Sequence, residues 1–226
     1  MVAWDMPGFG SSEPMASPSV NVSEYARALH ELIQAIGIDN AHIVGTSFGT
    51  LIAAATARLM PEAVRSMVWV CSVRGMGRLD PSKRAELRAT RLQELTTLGV
   101  DQFAETRNSK YLGRGAPQDV IAKAVSLARM TTVRGYMDAY AAMTECDIDT
   151  LCSGWRKPLM ALSGEQDPIA PASQCEQIAN RMAGAQYHCV SGAGHYLNFE
   201  RPHVFNELVS NFIDATEEGV GVSGSA

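Results

Sequence analysis

The sequence predicts an α/β fold with a mostly parallel sheet and an inserted helical subdomain. Short runs of apolar and β-branched residues, typical of buried strands, alternate with longer segments whose apolar residues recur at helical spacing. Strands that alternate with helices pair in parallel, because each helix returns the chain to the same end of the sheet. The strands are predicted at 41–46, 66–72, 158–163 and 185–191.

The other core elements follow in an order that fits this fold. Residues 2–5 are predicted to be the end of a strand, and a turn-rich loop follows at 7–12. Apolar residues three and four positions apart predict a helix over 21–36, which Gly37 can end. The remaining core helices are predicted at 48–60, at 171–182 and from about Pro202 onwards.

Between the second and third predicted strands only helical patterns occur. This stretch is too long to be a loop in a compact domain, so it predicts a helical subdomain inserted over the edge of the sheet. Its helices are predicted at 82–98, 101–108, 117–130 and 133–143. We therefore predict a core formed by 1–73 and 153–216 and a helical lid over 74–152. The glycine- and serine-rich segment 217–226 is predicted to be a disordered tail.

Composition excludes several classes of protein. The 226 residues carry a net charge of −5 without a basic cluster, so we expect no nucleic-acid partner and no anionic membrane surface. No apolar run reaches the roughly 20 residues that span a bilayer, and no signal peptide begins the chain, which predicts a cytoplasmic protein. The five cysteines have no CxxC or zinc-ligand spacing. We expect free thiols, no metal and no organic cofactor.

The run Gly45-Thr46-Ser47-Phe48-Gly49 joins a predicted strand to a predicted helix. A serine at the apex of such a tight turn has a strained backbone and an outward hydroxyl, and the flanking glycines leave room where helix and strand cross. The backbone N–H groups at the helix start face whatever binds beside that hydroxyl. Ser47 is therefore our candidate nucleophile.

Two further candidates follow predicted strands: Asp167 after 158–163 and His195 after 185–191. Functional groups of an open α/β sheet collect where loops leave the carboxyl ends of the strands. A serine hydroxyl needs an imidazole to remove its proton, and the imidazole needs a carboxylate to hold its tautomer. Ser, Asp and His in this order predict a catalytic triad.

Other acids and histidines remain open as alternatives. An aspartate in a turn commonly bonds turn amides, and a single histidine is commonly structural or exposed. Glu165 is the reserve candidate for the acid, and Asp5 is expected to tie down its own glycine-rich loop. The further residues of these types are Asp147, Asp149, His30, His42, His188 and His203.

Four stretches of the chain resemble the α/β-hydrolase superfamily: WDMPGFGSSE, IVGTSFGT, LSGEQDPIAP and SGAGHYLNFERP. The helical insertion, with LTTLGVDQFAETR, APQDVIAKA and RGYMDAYAAM, is similar to the 3-oxoadipate enol-lactonase-like branch. The resemblance implies Ser47 as nucleophile, Asp167 as acid, His195 as base and the Phe48 backbone N–H as one oxyanion donor. Met130, Met137 and Tyr196 are candidate pocket residues.

One part of the family pattern has no counterpart in this sequence. Chains of the family carry three strands ahead of the segment with which this sequence begins, and the turn after the third supplies a second oxyanion N–H. In the family's strand order, that third strand lies between the strands expected at 2–5 and 41–46. Without that strand, backbone groups of its two neighbours are predicted to lack hydrogen-bond partners unless these neighbours pair with each other.

The predicted function is a serine hydrolase that cleaves an ester or lactone of a small organic acid through an acyl-enzyme. A C–C bond hydrolase and a cofactor-free perhydrolase use the same triad, so both remain alternatives. An inactive homologue or a binding module is the alternative of a different class, because the second oxyanion donor is absent. The sequence leaves homodimerisation open.

Overall fold

The structure, a computed structural model, describes residues 1–17 and 19–222. Its core is a four-stranded parallel sheet in the order β1-β2-β3-β4. The strands are β1 Ala41–Thr46, β2 Val64–Val70, β3 Leu159–Gly164 and β4 Gln186–Val190. The predicted parallel α/β fold is confirmed.

Helices cover both faces of this sheet. They are α1 Val22–Ala35, α2 Phe48–Leu59, α3 Pro81–Asn108, α4 Gln118–Ala128, α5 Val133–Glu145, α6 Ile148–Leu151, α7 Ala172–Ala179, α8 Leu197–Glu200 and α9 Pro202–Val222, with a short 3₁₀ turn at Pro61–Ala63. Because β2 alternates its side chains between two covered faces, Trp69 packs with Leu51 on one side and Val70 packs with Phe212 on the other. Among the described residues, no helix has the length and apolar character needed to cross a bilayer.

The amino-terminal strand expected at 2–5 is absent. Residues 1–5 have no regular structure, and β1 is an edge strand whose described partners lie only on the β2 side. Val44 of β1 is 42% exposed as a result. Residues 1–5 therefore stay outside this sheet, because a strand forms only where another strand pairs with its backbone.

The inserted segment contains α3 to α6. The helices expected at 82–98 and 101–108 form one element, α3, which is interrupted at Gly99 by a left-handed φ of 71°. The two ends of the insertion lie side by side, since Gly75 forms an antiparallel bridge with Asp147 and the Ile148 N–H donates to the Arg74 carbonyl at 2.9 Å. The insertion thus leaves and rejoins the core at one place.

The carboxyl-terminal helix is longer than expected. We predicted disorder from residue 217, but α9 continues to Val222, while 223–226 lie outside the described residues. Glu217 explains part of the difference, because its carboxylate binds Arg65 at 2.7 Å and His42 at 2.9 Å. Such long-range partners cannot be read from local composition.

Candidate active site

Ser47 lies at the carboxyl end of β1, immediately before α2. Its backbone has φ 53° and ψ −116°, in the left-handed half of conformational space where few residues with side chains are found. The Ser47 N–H donates to the Val70 carbonyl of β2 at 2.9 Å, which anchors the turn to the sheet. This is the strained strand-to-helix turn that the sequence predicts.

The two glycines of this turn play different roles. A Cβ on Gly45 would lie 2.3 Å from the Gly49 carbonyl oxygen and 2.9 Å from the Thr50 nitrogen, both of them backbone atoms. A Cβ on Gly49 would meet nothing within 4 Å. The expectation that both glycines make room is therefore correct for Gly45 and wrong for Gly49 in the described structure.

Asp167 lies in the turn that follows β3, and its side chain is buried. One carboxylate oxygen accepts the backbone N–H groups of Ile169 at 2.7 Å and Ala170 at 2.9 Å. The other oxygen bonds Nδ1 of His195 at 2.8 Å. Burial on its own would raise the pKa of Asp167, but the hydrogen bond and charge of His195, with these two N–H groups, hold that pKa below its usual value.

His195 lies beyond β4 and is 6% exposed. Its backbone N–H donates to the Tyr111 carbonyl at 2.7 Å, and its ring lies between the rings of Tyr111 and Tyr196, with centroids 5.9 and 6.2 Å away. An ionised Asp167 holds a proton on Nδ1, which leaves the lone pair of Nε2 free to accept a proton. The pair has the arrangement that a general base needs.

Glu200, at the end of α8, is a residue of the site that sequence reasoning missed. Its carboxylate is buried and accepts the N–H of Gly113 at 2.7 Å and the N–H of Gly194 at 3.0 Å. Gly113 belongs to the insertion and Gly194 precedes His195, so one carboxylate joins the inserted segment to the loop that carries His195. Its place in the SGAGHYLNFERP run is the sequence signal that could have identified it.

The structure joins two of the three predicted triad residues directly. Asp167 and His195 are hydrogen-bonded, whereas no hydrogen bond joins the Ser47 hydroxyl to His195 in the part of the chain that the structure describes. Such bonds are commonly long in proteins without ligand and tighten when substrate binds. Phe48 is the first residue of α2, and the N–H groups of a first helical turn have no partner within the helix. Its N–H therefore suits the expected oxyanion donor.

The alternative acids have other partners. Glu165 is exposed and accepts from the Ser191 hydroxyl at 2.8 Å and the Gly192 N–H at 2.9 Å. Asp5 binds its own loop, as expected, since its backbone carbonyl accepts the Ser12 hydroxyl at 2.6 Å. Asp147 and Asp149 form ion pairs with arginines at the base of the insertion. Among these acids, Asp167 is the one bonded to His195.

The predicted pocket residues differ in where they lie. Met130 is 47% exposed, and its carbonyl accepts the Gly10 N–H at 2.7 Å, so the structure does not place this side chain in an enclosed pocket. Met137 is half-buried on α5. Tyr196 lies against His195, and its hydroxyl donates to the Asn108 side chain. Tyr196 is thus the candidate that adjoins the site.

Phenols of the inserted segment are hydrogen-bonded to arginines, and one of them, Tyr111, adjoins His195. Arg91 donates to the Tyr136 hydroxyl at 2.6 Å and lies 4.6 Å from the centre of the Tyr140 ring. Arg107 donates to the Tyr111 hydroxyl at 3.0 Å. Burial raises the pKa of Tyr136 above its usual value, although Arg91 opposes that change. The Tyr136 phenol is therefore a neutral hydrogen-bonding group at neutral pH.

Two surface cavities lie away from this site. A cavity of about 320 Å³ is lined by Arg65, Lys157 and their neighbours at the opposite end of the strands. A second, of about 270 Å³, is lined by Asp149, Arg181 and their neighbours. Neither of these two cavities is lined by Ser47, Asp167 or His195.

Comparisons with known proteins agree with the architecture. Residues 1–202 match the family described as alpha/beta hydrolase fold. The chain is 30% identical over 227 residues to 2-hydroxymuconate semialdehyde hydrolase of Pseudomonas sp. (strain CF600), covering 94% of this chain and 76% of the relative. It is 24% identical over 233 residues to the polyketide synthase ThaQ of Burkholderia thailandensis, covering all of this chain but 11% of that protein.

Solved structures show the same fold. A thermophilic esterase from Thermogutta terrifontis superposes with a TM-score of 0.83 at 20% identity, over 93% of this chain and 78% of the esterase. The enol-lactonase from Burkholderia xenovorans LB400 gives a TM-score of 0.79 at 22% identity, over 92% and 78% of the two chains. The relationship to an enol-lactonase expected from the insertion is thus found at the level of fold. The chain belongs to the α/β-hydrolase family.

Proposed function

We propose that this chain is a serine hydrolase that cleaves a carboxylic ester or lactone of a small organic acid. The observation that carries the proposal is the bond between Asp167 and His195, which is buried and reinforced by two backbone donors. A carboxylate held in this way keeps the imidazole in the tautomer that accepts a proton on Nε2. Ser47, on its strained turn, is the group that would give up that proton.

The reaction would run in two halves. Ser47 Oγ attacks the carbonyl carbon of the substrate as His195 takes the hydroxyl proton, and the proton then passes to the leaving alkoxide. In the second half His195 removes a proton from water as the water oxygen attacks the acyl carbon, and the imidazolium then returns a proton to Ser47 Oγ as the acid is released. Asp167 stays ionised throughout and stabilises the imidazolium.

The developing oxyanion requires hydrogen-bond donors. The Phe48 N–H, at the start of α2, is the donor that we propose, and the partial positive charge of the helix start supports it. Removal of one oxyanion donor typically costs about 10²–10³ in rate. The Phe48 N–H is therefore expected to contribute a large part of the rate, and a binding module without turnover remains the alternative of a different class.

A second candidate reaction is hydrolysis of a C–C bond in a small keto acid. The relative named 2-hydroxymuconate semialdehyde hydrolase favours it, at 30% identity over 94% of this chain. The same serine, histidine and aspartate would serve that reaction. A comparison of p-nitrophenyl butyrate, a lactone panel and a dienoic keto acid separates the candidates by product.

The first experiment pairs turnover with labelling. Purified protein is assayed with p-nitrophenyl butyrate and with a fluorophosphonate probe, beside Ser47→Ala and the matched control Ser210→Ala on the exposed side of α9. We expect turnover and labelling in the wild type and in Ser210→Ala, and neither in Ser47→Ala. A folded wild-type protein without turnover or labelling would overturn the proposal and favour the binding module.

A further inference from the structure

Cys71 is a buried thiol that the proposed hydrolysis does not use. It follows β2 directly, is fully buried, and has a left-handed φ of 51°, one of two such values among described residues other than glycine. Its N–H donates to the Leu162 carbonyl of β3 at 2.8 Å, and its thiol lies 3.8 Å from the Gly194 carbonyl oxygen. The parallel pairing of β2 and β3 thus carries this sulfur to the end of the sheet where Asp167 lies.

Three different ligand types meet there. The sulfur of Cys71, a carboxylate oxygen of Asp167 and a ring nitrogen of His195 all lie within 4.8 Å of one another, and all three residues are buried. In the ranges 1–17 and 19–222 this is the one cluster of three or more such residues with that spacing. The residues come from positions 71, 167 and 195, so no sequence spacing could reveal them.

The geometry is close to that of a metal site. An ion placed between three atoms with these separations lies no more than about 2.8 Å from each, and zinc bonds to sulfur, nitrogen and oxygen are about 2.0–2.3 Å long. A contraction of less than about 1 Å by each ligand therefore completes the site. A thiolate and an imidazole favour Zn²⁺ or Co²⁺ over Mg²⁺ or Ca²⁺, which take oxygen ligands.

We propose that Cys71, Asp167 and His195 form an inhibitory site for Zn²⁺ and similar thiophilic divalent cations. The inhibition rests on the proposed hydrolase function, whereas the binding does not. On binding, the Cys71 S–H loses its proton to solvent and the thiolate takes the metal. Nδ1 of His195, which faces Asp167, binds the metal through its lone pair, so the ring proton moves to Nε2. A protonated Nε2 cannot accept the proton of Ser47, and Asp167 no longer orients the ring.

Without metal, the same thiol is compatible with the predicted triad. Burial and the negative charge of Asp167 raise the pKa of the Cys71 thiol, so it stays neutral beside the carboxylate. The side chain of Asp167 is fully buried, while that of His195 retains 7% exposure, so the imidazole is the ligand nearest to solvent.

The binding test uses Co²⁺ as a spectroscopic probe in a Cys189→Ser background, because Cys189 is the exposed cysteine. Chelator-treated protein is titrated with Co²⁺, and the near-ultraviolet charge-transfer band between thiolate and cobalt is followed. We expect one equivalent bound with this band, and loss of the band in Cys71→Ser and Cys71→Ala. Circular dichroism checks that each variant is folded, and His195→Gln provides a second ligand variant with the thiol intact, for which we expect roughly tenfold or more weaker binding.

The inhibition test measures the rate with and without Zn²⁺, relative to the metal-free rate of the same variant. We expect roughly tenfold or greater inhibition at saturating Zn²⁺, reversed by EDTA, with at least roughly tenfold more Zn²⁺ needed for Cys71→Ser. Absence of the cobalt band in the background protein, or a band that survives in folded Cys71→Ser, would overturn the site. A cobalt band in a protein without esterase activity would instead leave the site in place and reject the hydrolase.

Discussion

The carboxylate of Glu200 accepts the backbone N–H of Gly113 across 87 residues of sequence, at 2.7 Å and away from solvent. Backbone N–H groups that are buried away from water need another hydrogen-bond acceptor, and the carboxylate of Glu200 provides it. The same group also accepts the N–H of Gly194, the residue before His195. The inserted segment and the loop that carries His195 are therefore held by one side chain, and its loss should affect both.

We expect Glu200→Gln to lower the free energy of unfolding by about 1–3 kcal/mol, because the amide keeps one acceptor and turns its NH₂ group towards a backbone donor. Urea denaturation measures the change. Glu207→Gln on the exposed side of α9 is the matched control and should be neutral. Equal effects of the two substitutions would contradict the bridging role of Glu200.

Asp167→Asn should abolish most turnover and leave the fold intact. The amide oxygen can still accept the N–H groups of Ile169 and Ala170, but it cannot hold His195 in the required tautomer. We expect kcat to fall by about 10⁴-fold, the loss typical for such a substitution in a triad. Steady-state kinetics with an activated ester provides the measurement.

Glu165→Gln is the control for the acid, since Glu165 is exposed and bonds Ser191 and Gly192 instead. Its kcat should stay within about twofold of the wild type. If Glu165→Gln were the inactive variant and Asp167→Asn the active one, the assignment of the acid would be wrong.

The contribution of Asp167 to stability should depend on pH in a defined direction. Its pKa in the folded protein lies below the usual value, so the carboxylate favours folding above the pKa of about 3.9 that it has in the unfolded chain. This contribution is lost as the pH falls through the lower pKa of the folded state. The difference in unfolding free energy between wild type and Asp167→Asn should therefore shrink below about pH 4.

Urea denaturation between pH 7 and pH 3 tests this dependence. The matched comparison is Asp101→Asn, because Asp101 is an exposed aspartate on α3, away from β3 and the turn that holds Asp167. A difference between wild type and Asp167→Asn that stays constant over the whole range would show that the folded and unfolded pKa values are equal.

The two glycines of the serine turn should respond in opposite ways. Gly45→Ala places a Cβ 2.3 Å from the Gly49 carbonyl oxygen, and overpacking of this kind typically costs about 1–3 kcal/mol. Gly49→Ala meets open space in the first turn of α2, where alanine is favoured over glycine by up to about 1 kcal/mol. Thermal unfolding of both variants measures the contrast.

A destabilising Gly49→Ala would mean that another part of the protein occupies the space beside α2. A harmless Gly45→Ala would mean that β1 and α2 are further apart than described. Either result would change the account of how Ser47 is held.

The sequence by itself determined the elements whose signal is local. Strand composition and helical spacing located all four strands and most helices. A buried face requires apolar residues at the regular spacing of the element, and that spacing can be read from neighbouring residues. The glycine and serine of the turn at Ser47 were identifiable because a left-handed backbone and a close crossing restrict the residue type. Ser47, Asp167 and His195 became candidates because each follows a predicted strand, where sites form in such sheets, and their order is that of the α/β-hydrolase triad.

Tertiary structure decided everything that depends on a distant partner. The expected strand at 2–5 did not form, and α9 continued to Val222, because pairing and ion pairs come from residues far along the chain. The bond from Glu200 to Gly113 and the meeting of Cys71 with Asp167 arise in the same way, since parallel strands bring remote residues to one end of the sheet. Such contacts cannot be predicted from neighbouring residues, because each depends on how the whole sheet and the inserted segment pack together.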